Sequence, residues 1–264
     1  MRLSIRTRLF LILFGAGMLG VVSILLIDLS ALMVLIPARP GTEAPTITPA
    51  LKILSLIQPM VILAAAVLIG VMLASKVDLS SPVAEALATR GEAVRVLKPQ
   101  IVPGVVGGLI GGACIILISL LFRPLLQPET IDRVSRLGRI LPIPTRLLYG
   151  GVTEELLLRW GFMTLVVWVF WRLLQKNRTT PTTICFVAAI LVSSFVFGVG
   201  HLPIAFALLP EVTVAVVLFV ILANSAFGVV AGFLYWKKGL ESAIVAHMLT
   251  HVVLLGASYA GAYF

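Results

Sequence analysis

Seven long apolar runs constrain this chain more than any other feature. They cover approximately residues 9–36, 53–75, 101–122, 147–171, 184–203, 212–236 and 240–260. A helix needs roughly 20 apolar residues to cross a hydrocarbon core about 30 Å thick, and each run is long enough. Composition points the same way. Of 264 residues 60% are hydrophobic and only 12% charged, and the mean hydropathy is +1.13. A soluble domain could not hide that much apolar surface, so lipid is the solvent for most of the chain. The expected fold class is all-α: a polytopic transmembrane helical bundle of about seven spans, an integral membrane protein whose first partner is the lipid bilayer.

The connectors differ in character. Residues 37–52 are rich in Pro and Thr, and 76–100 are charged and partly helical. Residues 123–146 interleave Arg123, Arg133, Arg136, Arg139 and Arg146 with Leu and Ile, the pattern of an amphipathic helix lying in the interface. The basic N-terminus precedes an apolar run too long for a signal peptide's core of about 7–15 residues, so an uncleaved first span is expected. No soluble domain, internal repeat or low-complexity tract stands out.

The net charge of +9 would suggest nucleic acid in a soluble protein. Here Lys and Arg gather in short loops, where they set topology and touch anionic headgroups, and no nucleic-acid partner is expected. With the N-terminus inside, 12 Lys and Arg fall on the cytoplasmic side and 7 on the other. The Lys and Arg bias favours a cytoplasmic N-terminus, against the pull of the five-arginine connector. Cys114 and Cys185 each lie within an apolar run and read as small packed residues, not as a disulfide or a metal site.

Ionisable groups inside a span cost at least about 2.5–3.5 kcal/mol each, which makes them functional candidates. The fourth run contains Thr153-Glu154-Glu155-Leu156-Leu157-Leu158-Arg159. Glu155 and Arg159 are spaced i, i+4 and share a helix face, so they can pair. Glu154 points roughly 100° away. One carboxylate is thereby neutralised and the other left free to act. The fifth run ends in Phe197-Gly198-Val199-Gly200-His201, and the seventh holds His247-Met248-Leu249-Thr250-His251. Two histidines at i, i+4 suit shared metal ligation or two donors aimed at one oxyanion. All three histidines of the chain lie in or at the edge of a span.

Gly228-x-x-x-Gly232, and Gly104, Gly107, Gly108, Gly111 and Gly112 of the third run, read as close-packing faces. Asn224 and Ser225 are placed to bond across helices. Asp28, a lone acid in the first run, is a minor site candidate. Trp160, Trp168, Trp171 and Trp236 fit interface belts or packing.

Glu154-Glu155-x-x-x-Arg159, Phe197-x-x-x-His201 and His247-x-x-x-His251, in this order and each on its own span, resemble the three-motif signature of the CPBP intramembrane proteases, which include the CAAX prenyl endopeptidases and bacteriocin-processing or immunity proteins. Gly228-Val-Val-Ala-Gly-Phe-Leu-Tyr-Trp-Lys-Lys-Gly239 is similar to the family's packing helix and turn. The resemblance covers about 145–260 and divides the chain into N-terminal spans with an interfacial helix (1–144) and a CPBP-like catalytic core (145–264), forming one structural unit. It implies an endopeptidase of a bacterial or archaeal cell membrane that cuts a membrane-anchored, prenylated or leader-type protein or peptide. In it Glu154 activates a water with help from His201. Glu155 and Arg159 hold the site together, and His247 with residue 251 stabilises the oxyanion. Two positions depart from the pattern. The family usually has Asn or Asp where this chain has His251, and many members have Gly where it has Trp160.

The residues support the same roles on physical grounds, since peptide hydrolysis needs an activated water and a home for the oxyanion. The extra histidine keeps a metal reading open: His201, His247 and His251 form a possible Zn²⁺ set, against catalysis that requires no cofactor. A proton or metal-ion transporter and a non-catalytic membrane immunity or scaffold protein are the rival functions. Against a transporter, no pair of broken helices and no inverted repeat is visible.

Overall fold

The structure is a computed structural model that describes residues 3–37 and 48–261. All regular secondary structure among the described residues is helical, and seven helices are long and apolar enough to cross a membrane. The seven spans expected from hydropathy are all present, as Ile5–Leu26, Pro49–Lys76, Ala93–Leu125, Ile143–Leu174, Thr183–Leu208, Val214–Lys238 and Leu240–Tyr259. The Pro- and Thr-rich connector lies largely outside the described residues.

Helix α1 (Ile5–Ser23) is N-capped by Ser4, whose hydroxyl accepts from the Thr7 amide. The first span ends near Leu26, short of the expected Ile36. The chain turns extended at Ile27, and Asp28 becomes the N-cap of α2 (Leu29–Leu35), accepting from the Ser30 and Ala31 amides. Asp28 therefore does the work of a helix cap, where its carboxylate satisfies two otherwise unpaired amides. Helices α3 (Pro49–Leu54) and α4 (Ile57–Leu73) make the second span. Helix α5 (Pro82–Thr89) follows, and its first turn is held by Glu241: Oε1 accepts from Ser81 Oγ at 2.7 Å and from the Val83 and Ala84 amides at 2.9 and 3.2 Å.

Helix α6 (Ala93–Phe122) starts earlier than the apolar run suggests and passes through Pro99 and Pro103. Proline removes a backbone donor, and packing against neighbouring helices lets spans tolerate it. Along α6, added Cβ atoms at Gly104, Gly108 and Gly112 would lie 2.7, 2.7 and 2.6 Å from Val245, Leu249 and Val253. The two stripes, each spaced by four residues, let the α6 backbone lie directly on the seventh span. The expected amphipathic helix forms as α7 (Pro128–Ile140), with Arg133–Glu129 and Arg136–Asp132 pairs at i, i+4. Arg133 also donates to the carbonyls of Leu35 and Leu208, fastening α7 to two other elements.

The fourth span departs most from expectation. After α8 (Ile143–Thr145) the chain is π-helical over Arg146–Glu154 and Leu156–Met163, and becomes α-helical again in α9 (Thr164–Leu174). Such i→i+5 stretches are rare and concentrate at functional sites. The first half of this span packs against α1 and the second half against α4. Thr153 Oγ1 donates to the Gly17 carbonyl at 2.7 Å, and Trp160 Nε1 donates to the Val67 carbonyl at 3.2 Å across from Gly70. Trp160 thus packs in the interior.

Helix α10 (Thr183–Gly200) and α11 (Leu202–Leu208) form the fifth span, α12 (Val214–Lys238) the sixth and α13 (Leu240–Tyr259) the seventh. On α12, Gly228 and Gly232 face Ser194 and Ile190 of α10. Ser225 donates across to the Ser194 carbonyl at 3.0 Å, whereas Asn224 bonds back to Val220 in its own helix. Both cysteines are free.

Candidate active site

The fourth, fifth and seventh spans bring Glu154, Glu155, Arg159, His201, His247 and His251 into one neighbourhood, with Phe197 and Phe227 between them. Arg159 anchors it. Its side chain is fully buried, and Nη1 lies 3.2 Å from Oε1 of the equally buried Glu155. Nη2 donates to the Gly228 carbonyl at 3.1 Å. The guanidinium sits 4.9 Å from the Phe197 ring centroid and 5.8 Å from that of Phe227, within the range of cation–π attraction. A buried guanidinium needs such company, because an uncompensated charge there is far more costly than a paired one. The i, i+4 pairing expected from sequence is present. The Gly228 carbonyl and the two aromatic faces are additional partners.

Glu155 has a second partner that its spacing did not suggest. Its Oε1 lies 2.7 Å from Nδ1 of His247. That bond fixes the imidazole and turns its other nitrogen, Nε2, toward Glu154, whose Oε2 is 3.9 Å away. The two adjacent carboxylates thus face opposite nitrogens of one ring. They differ in access as well, since the Glu155 side chain is fully buried and that of Glu154 is 20% exposed. A gap of 3.9 Å is too long for a hydrogen bond, so Glu154 keeps lone pairs uncommitted to the protein at this contact.

His201 ends α10, and its Nδ1 donates to the Phe197 carbonyl at 2.8 Å. With Nδ1 protonated, the neutral ring offers Nε2 as an acceptor. Its ring meets Phe197 edge-on at 4.8 Å, and Phe197 meets His247 edge-on at 5.8 Å, so one phenyl ring separates and orients both imidazoles. His251 stacks on His247 with centroids 5.0 Å apart and planes 14° from parallel, and its Nε2 is buried without a hydrogen-bond partner. Among the described residues, no group of three or more His, Cys, Asp or Glu side chains is placed to hold a metal ion.

Sequence reading missed Phe227, whose ring packs 4.4 Å from His247. It also missed the Glu155–His247 bond. No signal marks Phe227 among the chain's 13 phenylalanines, except that it adjoins the Gly228 packing motif.

The arrangement offers an accessible carboxylate, an imidazole poised to accept, and a carboxylate-oriented histidine stacked on another, all set in an apolar helical bundle. Neither a curated protein nor a solved structure matches the chain. A family model does: the type II CAAX prenyl endopeptidase Rce1-like family, over residues 136–253. The matched stretch contains every residue of the cluster, and it agrees with the CPBP resemblance. From 136 to 253, therefore, this integral membrane protein carries an Rce1-like domain of an endopeptidase family.

Proposed function

We propose that the protein is an intramembrane endopeptidase that hydrolyses a peptide bond near the membrane surface of a membrane-anchored, prenylated or leader-type substrate, using water activated by Glu154. The observation that carries this reading is the division between the two carboxylates. Glu155 is committed to Arg159 and His247, while Glu154 is partly exposed and, among the described residues, makes only a long contact to His247.

In this reading Glu154 takes a proton from water as the water oxygen attacks the scissile carbonyl. His201, with Nε2 as its accepting nitrogen, assists by orienting that water. His247 and His251 line the side where negative charge develops on the carbonyl oxygen, and His247 serves it by donating from Nε2 as an imidazolium whose Nδ1–H is held by Glu155. The Glu155 bond positions His247 as a buried carboxylate positions the histidine of other hydrolytic sites, by holding one ring nitrogen so that the other is aimed. Glu154 finally returns its proton to the leaving amine, so no net proton is gained or lost by the enzyme. Residues 1–144 serve as a scaffold: α1 and α4 hold the catalytic span from behind through Thr153 and Trp160. The site needs no cofactor in this mechanism, and a bound Zn²⁺ is the alternative source of an activated water.

Co-expression with membrane-anchored candidate substrates tests the reading. Cleavage by the wild type and none by Glu154→Ala is expected. Equal processing by both would remove Glu154 from the chemistry.

A further inference from the structure

The seventh span carries a histidine at 251, and the fourth span has a matching absence opposite it. A Cβ built on Gly150 would lie 2.4 Å from Nε2, 3.2 Å from Cδ2 and 3.4 Å from Cε1 of His251, and these are its three nearest atoms. The first distance is shorter than any real Cβ contact. Among the described residues no atom of another helix comes as close to Gly150, so its lack of a side chain leaves room for this ring. Gly150 does not need glycine for its backbone, because it sits inside the π-helical stretch and is not among the positive-φ residues. The Cβ would meet the Nε2 edge of the ring, and one face of that ring is stacked on His247, itself tied to Glu155, so the ring cannot tilt away without disturbing the stack. The Nε2 atom that would meet the Cβ is buried and unpartnered.

We infer that Gly150 is a positioning residue that admits histidine at 251 and sets the depth to which its imidazole enters the site. This deepens the hydrolytic reading and rests on it for its functional meaning. Glycine and histidine act as a steric pair across two spans. A side chain at 150 displaces the His251 ring and, through the stack, disturbs His247. Asparagine at 251 would stop short of the Nε2 and Cε1 positions, so a Cβ at 150 would then fit. In that background Gly150→Ala should even be mildly favourable, because alanine is the better helix former.

The test is a double-mutant cycle on the full-length protein in detergent or nanodiscs, read by thermal unfolding and, separately, by cleavage. Gly150→Ala should lower Tm by several degrees and reduce cleavage at least tenfold in the wild-type background. In the His251→Asn background it should leave Tm unchanged or higher and cause no further loss of cleavage beyond that of His251→Asn alone. If Gly150→Ala fails to accumulate alone but accumulates with His251→Asn, the pairing is supported. Equal losses of Tm in both backgrounds, no loss in either, or failure to accumulate in both overturns it. The Tm cycle does not depend on proteolysis, so absence of cleavage by the wild type strikes the proposed function and leaves the steric pairing to be judged by stability.

Discussion

At the residue scale, the two adjacent glutamates should separate cleanly under mutation. Glu154→Gln keeps the shape of a side chain that is partly exposed and loosely held, so the protein should fold and unfold as the wild type does. Glu155→Gln removes the charge that offsets a fully buried guanidinium. Breaking a buried pair costs about 3–5 kcal/mol, so this variant should lower Tm or yield as well as activity. Thermal unfolding of both variants checks the division, and indistinguishable behaviour would show that it is wrong. The histidines raise the question of metal. His247 has one nitrogen on Glu155 and a ring stacked on His251, an arrangement suited to hydrogen bonding. Cleavage should survive strong chelation, and elemental analysis of the purified protein should find substoichiometric zinc. Stoichiometric zinc, with activity lost on chelation and restored by zinc, would replace this mechanism with a metal-assisted one.

At the element scale, α5 is held to the start of α13 by Glu241, and Glu85 lies in the same corner. The Glu85 carboxyl accepts from the Ser81 amide at 3.1 Å. Burial raises its pKa above the ordinary 4.5, the Ser81 bond opposes the rise, and Glu241 adds to it. A carboxyl with a raised folded-state pKa weakens the fold wherever it must ionise, and the penalty disappears once the pH falls below the unfolded value. Glu85→Gln should therefore raise Tm at pH 7–8, with the gain fading toward about pH 4.5. A gain that persists at low pH would mean that charge is not the cause. The spans themselves were legible from sequence because length and apolarity are one-dimensional properties. The Glu155–Arg159 pair and the packing glycines were legible because helical spacing fixes which residues share a face. The break at Ile27 and the π-helical fourth span were not, since neither a cap nor a shift in backbone hydrogen-bond register alters hydropathy. The third run already took in Pro103, but the extension of α6 back through Pro99 to Ala93 lies in a charged stretch where hydropathy marks no helix start. The contacts of His247 with Glu155 and Phe227 join residues far apart in the chain, and only the tertiary arrangement brings them together.

At the scale of the whole molecule, the N-terminal helices and the Rce1-like domain share one interior. Thr153 and Trp160 bond to the backbones of α1 and α4, and α6 lies along α13 through its glycine stripe. The cluster of side chains from three spans depends on that packing for its geometry. In the proposed mechanism Glu154, and not the bundle as a scaffold, performs hydrolysis. The most direct measurement is turnover of a membrane-anchored reporter peptide by purified protein in liposomes, comparing the wild type with Glu154→Gln at matched Tm. The wild type should cleave the reporter, and Glu154→Gln should cleave it about 10²–10⁴-fold more slowly, the range expected on losing a general base. Cleavage by Glu154→Gln at the wild-type rate would contradict this mechanism.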